Sequence, residues 1–301
     1  MKTLFALAIG SAFMFAPSCG FSHPGSGIVV DARGNVFVAD INRGLVRFGA
    51  DGKVSIVLKE AGHWLARDDT GRFRRMEFEK STHWPRWFKH RRPPGEALAL
   101  ISDGGSPLVI HRDGNLYYVC GDEQMVPGGL QIGRLTSDGK LALVSPQMKA
   151  RVDELGGLKG LASGPDALYA TCPGAVLKVK LDGTFTILKQ SIVTPDCDRF
   201  LPLNTPPAHE PFLTGLVVDS RTNIFLAATG CRCVLNLATD GQISTVLKAE
   251  PPWSPTGVAL HGEDLYVAEW TNAHSDAHDY RPRVRKLGRD GKVTTVGVIS
   301  E

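Results

Sequence analysis

The sequence predicts an all-β chain folded as one ring of repeated sheets, and three observations predict it. The 301 residues include 33 glycines and 19 prolines, too many turn formers for a helical bundle. Hydrophobic residues make up 43% of the chain, too many for a linker or a disordered segment. One pattern also recurs: Gly or Pro, an apolar strand, a turn, a second apolar strand ending on a polar or small residue, then a third strand. Sheets repeating at roughly 40–50 residues point to a β-propeller, because one sheet cannot bury both faces and neighbours must stack until the ring closes.

In chain order, the first twenty residues stand apart. Lys2 precedes an apolar run from Leu4 to Phe15, which ends in Ala16-Pro17-Ser18-Cys19-Gly20. A basic start, a short apolar stretch and small residues at the exit read as a secretory signal peptide over 1–20, with the propeller domain over 21–301. The run is short for a membrane span. Ala-Pro-Ser-Cys is also a loose match to a lipoprotein cleavage site, with Cys19 as the anchored residue. The expected location is exported, periplasmic or extracellular, where disulfides are permitted.

The first repeat runs from Gly27-Ile-Val-Val-Asp31 through Asn35-Val-Phe-Val-Ala-Asp40 to Asp51-Gly52 and an alternating strand. A degenerate second repeat is expected between about 59 and 105, where Gly62 to Phe73 still has the look of strand, turn and strand. Pro107-Leu-Val-Ile and Asn115 to Cys120 open the third. Gly160-Leu-Ala-Ser, Ala167 to Cys172 and Asp182-Gly183 form the fourth. Gly215 to Asp219, Asn223 to Ala228 and Asp240-Gly241 form the fifth. Gly257-Val-Ala-Leu, Asp264 to Glu269 and Asp290-Gly291 form the last. The expectation is a single propeller of six four-stranded blades, with seven as the competing count. The Asp-Gly dipeptides predict hairpins with type I′ turns, which need positive φ at both central residues.

These residues resemble a known group. Gly27-Ile-Val-Val-Asp-Ala-Arg-Gly-Asn-Val-Phe-Val-Ala-Asp40 and Gly215-Leu-Val-Val-Asp-Ser-Arg-Thr-Asn-Ile-Phe-Leu-Ala227 look like NHL-type repeats. They are also similar to blades of the regucalcin and gluconolactonase-like propellers. That resemblance implies a six-bladed ring and, for its lactone hydrolases, a divalent metal held at the top of the channel by Glu, Asn and Asp. The Asn and Asp would stand just ahead of the Gly that opens an innermost strand. Here those positions hold Ser26, Lys159, Thr214 and Thr256, so the metal triad does not carry over.

Unusual residues gather after second strands and before first ones, on one face of the ring, here called the top. Asp40, Cys120, Cys172, Ala228 and Glu269 stand at equivalent ends of second strands. Two carboxylates and two thiols there suit a metal or an acid–base role; otherwise the thiols fill space and the carboxylates bond loop amides. His274 and His278, four apart, and His209 in a neighbouring insertion are the other metal candidates beside Glu269, with calcium or zinc the cofactor they would suit. Glu269 is the catalytic candidate.

Of six cysteines, removal of Cys19 leaves an odd number, and Cys197 is expected to pair with Cys231 or Cys233. Between 67 and 92, arginines and lysines interleave with Phe73, Phe78, Trp84, Trp87 and Phe88, a pattern for a polyanion partner. With a formal net charge of +3 and an exported chain, nucleic acid is not expected; neither is a membrane span, and the chain is expected to be monomeric. No Gly-rich phosphate loop, Gly-x-Ser-x-Gly or His-Glu-x-x-His is present.

The function expected is binding of a small polar ligand, glycan or partner at the top channel mouth, lined by Asp40, Lys159, Arg199, His209, Trp253, Glu269 and Trp270. The alternative is a diverged metal-dependent lactone or ester hydrolase or lyase of the gluconolactonase-like kind.

Overall fold

The computed structural model describes residues 27–40, 43–59, 64–66, 73–76, 99–102, 107–120, 130–136, 138, 140–194, 197, 211–271 and 281–299. Residues 1–20 with Cys19, the position of Ser26, most of the basic 67–92 stretch, and Arg199, His209, His274 and His278 lie outside them. Among the described residues no helix is long and apolar enough to cross a membrane.

The chain is an all-β propeller. Five four-stranded antiparallel sheets are built from consecutive strands: β1 (Ile28–Val30), β2 (Val36–Asp40), β3 (Gly44–Phe48) and β4 (Val54–Leu58); β8 (Leu108–Ile110), β9 (Leu116–Cys120), β10 (Gln131–Leu135) and β11 (Leu141–Leu143); β12 (Gly160–Ser163), β13 (Leu168–Cys172), β14 (Ala175–Val179) and β15 (Phe185–Lys189); β16 (Leu213–Val218), β17 (Ile224–Ala228), β18 (Cys233–Leu237) and β19 (Ile243–Lys248); and β20 (Trp253–His261), β21 (Asp264–Thr271), β22 (Pro282–Leu287) and β23 (Val293–Val298). A short α-helix, α1 (Lys149–Glu154), bridges the sheets that end at β11 and begin at β12.

Between β4 and β8 lies a three-stranded sheet of β5 (Trp64–Ala66), β6 (Phe73–Met76) and β7 (Ala99–Ser102). The expected strand–turn–strand is not a hairpin here. β7 sits in the middle, antiparallel to β5 and parallel to β6. No Asp-Gly or Asn-Gly joins β5 to β6, so nothing local forces the two to pair.

The innermost strands touch in sequence around the axis: β1 against β5, then β8, β12, β16 and β20, which returns to β1. Each gap between sheets holds its own apolar cluster, and the period of two sends alternate residues of one strand into different gaps. On β2, Phe37 and Ala39 pack toward Leu65, whereas Val36 and Val38 join Phe48, Tyr266, Ala268 and Trp270 at the seam between first and last sheets. That is why the second strands read as unbroken apolar runs.

The Asp-Gly turns differ from expectation. Gly52, Gly183, Gly241 and Gly291 have positive φ, but the aspartates before them do not. Gly52 N donates to Gly49 O and Gly49 N to Lys53 O, which makes a type I turn followed by a left-handed Gly bulge. The Asp51 carboxylate accepts from Lys53 N at 3.2 Å, which holds the aspartate on the right-handed side of the turn.

Candidate functional site

The residues ahead of the innermost strands have their polar groups engaged between sheets. Thr171 Oγ1 donates to Thr214 O at 3.0 Å, Thr214 Oγ1 to Thr256 O at 2.9 Å, and Thr229 Oγ1 to Pro255 O at 2.8 Å. The Thr214 and Thr229 hydroxyls lie 2.7 Å apart. Glycines let these backbones close up: a Cβ on Gly160 would lie 2.1 Å from Thr214 O, and one on Gly215 2.7 Å from Gly257 Cα. Threonine hydroxyls therefore lace three sheets together where the gluconolactonase-like resemblance would place metal ligands.

Lys159, on the same rim, is half-buried; desolvation pushes its amine below the ordinary lysine value, and the nearby Cys172 works against that shift. Burial also pushes the Cys172 thiol up to about 12 and the Cys120 thiol up to about 11, so both stay protonated at neutral pH. A protonated thiol is a poor nucleophile. Among the described residues no three His, Cys, Asp or Glu side chains come together as a metal-holding group. Asp40 is fully buried and accepts from Arg43 N at 3.0 Å and Arg43 Nη1 at 3.3 Å, within its own blade.

The richest chemistry lies at the top between the last two blades. The ladder sets Glu269 on β21 opposite Arg283 on β22, and Val267 opposite Arg285. Alternation then puts Glu269, Arg283 and Arg285 on one face, toward β19. Arg283 Nε donates to one oxygen of Glu269, and Arg285 donates to the other through Nε at 2.9 Å and through Nη2. Glu269 has no exposed side-chain surface, and the two guanidiniums are 8% and 10% exposed. A carboxylate so placed is a fixed countercharge.

From the preceding blade, Glu250 reaches across. Its Oε1 accepts from Arg283 Nη1, its Oε2 lies 3.6 Å from Arg285 Nη1, and its side chain is 59% exposed. The Arg283 hydrogen bond holds the Glu250 carboxyl below the ordinary carboxylate value. Arg285 also donates to Lys248 O at 3.0 Å. The Arg283 guanidinium lies 4.3 Å from the ring centre of Trp253, which is only half-buried.

Of the expected lining residues, Trp253 and Glu269 are brought together here. Asp40 and Lys159 stand on other blades, and Trp270 is fully buried in the seam cluster. Glu250, Arg283 and Arg285 were missed by the sequence reading. The alternation Arg283-Val284-Arg285 carried the signal, since it puts two cations in register with Glu269 and Val267.

Cys197 is bonded to Cys231, with Cα atoms 4.5 Å apart, and Cys120, Cys172 and Cys233 are free. Thr194 Oγ1 lies 2.8 Å from the Cys231 sulfur.

No known protein family matches the chain, and no curated protein matches it. Solved structures do. Streptogramin B lyase aligns over 93% of this chain and 86% of its own, at 14% identity and a TM-score of 0.51. The fold is that of a β-propeller. A catalytically inactive virginiamycin B lyase from Staphylococcus aureus with quinupristin covers 92% of this chain and 85% of its own, at 16% identity and a TM-score of 0.49. A calcium-binding protein, regucalcin, from Agrobacterium tumefaciens covers 82% and 83%, at 15% identity and 0.49. At such identities the likeness is one of fold.

Proposed function

We propose that this chain is an exported six-bladed propeller that binds a small polar ligand at its top face, between the last two blades. The observation that carries this is the half-exposed indole of Trp253, stacked on a guanidinium that a fully buried Glu269 holds in place. An aromatic face beside a fixed cation and an exposed carboxylate offers apolar contact, donors and acceptors together, as polar-ligand sites require. The count of six takes the three-stranded sheet as a reduced blade, supported by β5 lying between β1 and β8. Export is supported by the Cys197–Cys231 bond, which is characteristic of oxidising compartments. A binding role suits Glu269 better than a catalytic one, because two arginines already take both of its oxygens.

Ligand-observed NMR against a panel of mono- and oligosaccharides and other small polar molecules tests the reading. Binding by the wild type should weaken about thirtyfold in Trp253→Ala, the cost of truncating an aromatic anchor. Equal binding by Trp253→Ala, with melting temperature unchanged, would overturn it.

A further inference from the structure

Arg283 carries a donor that no described residue uses. Its Nε bonds Glu269 and its Nη1 bonds Glu250, yet its Nη2 is buried and has no hydrogen-bond partner among the described residues. A buried guanidinium N–H without an acceptor costs free energy, and such exceptions call for a physical cause. The residue that closes this corner is also the least anchored one. Glu250 spans both guanidiniums with its two oxygens while most of its side chain remains in water.

From this arrangement we infer that the Glu250 carboxylate occupies the seat of a ligand's carboxylate, and that a small carboxylate-bearing molecule displaces it from Arg283 and Arg285. This rests on the reading of Trp253 as a ligand-lining side chain. The charges fit. With Glu250 swung away, two buried guanidiniums face the single carboxylate of Glu269. The corner is then short of one negative charge, and a monoanion restores the balance without leaving a buried cation unpaired.

The shape fits as well. Glu250 presents one oxygen to each arginine, the planar two-oxygen contact that a free carboxylate reproduces. A dianionic phosphate would bring a charge with no partner there. Displacement is cheap, since Glu250 is already mostly exposed and regains water as it leaves, and the incoming group can also reach Nη2. The indole of Trp253 beside Arg283 then forms the wall against which the body of the ligand lies. A sugar acid has this character: a compact polar ring with one carboxylate.

The test is a displacement experiment on the intact protein with D-galacturonate, its neutral counterpart D-galactose, and sulfate. Removing the resident carboxylate in Glu250→Gln should tighten D-galacturonate binding about fivefold, the worth of a partly exposed ion pair, and should not tighten D-galactose binding. Thermal melts provide a second readout: D-galacturonate should raise the melting temperature of Glu250→Gln and Glu250→Ala more than that of the wild type. Equal affinity of wild type and Glu250→Gln for D-galacturonate, no binding by either, or rescue by sulfate as strong as by the sugar acid would each overturn the inference. Loss of both sugars in Trp253→Ala, with no preference for the acid, would sink this inference and leave the ligand-binding reading standing. A Glu250-dependent preference for the acid that Trp253→Ala leaves untouched would overturn the reading of Trp253 and the wall drawn from it, and leave only the carboxylate seat at Arg283 and Arg285.

Discussion

At the scale of single residues, the buried charges of the last blade are fixed by mutual need. Neither guanidinium would be tolerated out of water without a carboxylate, and Glu269 answers both through separate oxygens. His111 shows the opposite solution, a titratable group buried in its neutral form. Its Nδ1 lies 2.6 Å from Ser163 Oγ on the neighbouring blade, and Tyr117 stands edge-on to its ring. Burial holds the imidazole below the ordinary histidine value of 6.5, outweighing the pull of Asp113. The sign follows from linkage. The unfolded chain takes up this proton first, so the contribution of His111 is fully present above pH 6.5 and shrinks as the pH falls toward its lowered value. Melting temperatures should therefore drop on acidification below pH 6.5, and His111→Gln should flatten that slope; an unchanged slope would remove His111 as its source.

At the scale of elements, strands and hairpins were plain in the sequence, because each depends on neighbours a few positions apart. Asn35 to Asp40 and Asp264 to Glu269 read as strands from their apolar runs, and the Asp-Gly pairs marked the turns; only the turn type differed. The order of β5, β6 and β7 was not legible, since it depends on pairing across a long stretch of chain and not on a local turn. The site was half legible. Trp253 and Glu269 stood out as unusual residues at strand ends, whereas Arg283 and Arg285 read as ordinary alternation until β21 gave them a partner. Trp270 shares the parity of Tyr266 and Ala268, which sends it into the seam. The glycines that open innermost strands make a sharper demand than their sequence suggests. Gly160→Ala sets a methyl against Thr214 O, a backbone atom that cannot step aside, so it should destabilise the protein by about 2–3 kcal/mol in urea melts. A cost no larger than that of an exposed Gly→Ala would mean the inner strands are free to spread.

At the scale of the whole molecule, every four-stranded blade is one contiguous piece of chain, and among the described residues no strand is shared across the seam. Closure rests on side chains: Ile28, Val36, Val38 and Phe48 against Ala259, Tyr266, Trp270 and Val284. The Cys197–Cys231 bond ties the connection after β15 to the top of the next blade and closes a loop with a sequence separation of 34. Opening it, by Cys197→Ser or by reductant, should cost about 3–4 kcal/mol through the unfolded chain. Mass spectrometry without reduction should find Cys120, Cys172 and Cys233 as the free thiols; a Cys231–Cys233 link would contradict the pairing. The seam also has a consequence in time. A chain leaves the ribosome from its N-terminus, so the flank formed by Val36, Val38 and Phe48 emerges long before the Tyr266 and Trp270 that cover it. Until β20 to β23 have been made, the first blade presents a bare greasy surface to its surroundings. Folding of this protein is therefore a race between translation of its last blade and the chaperones that must shield its first.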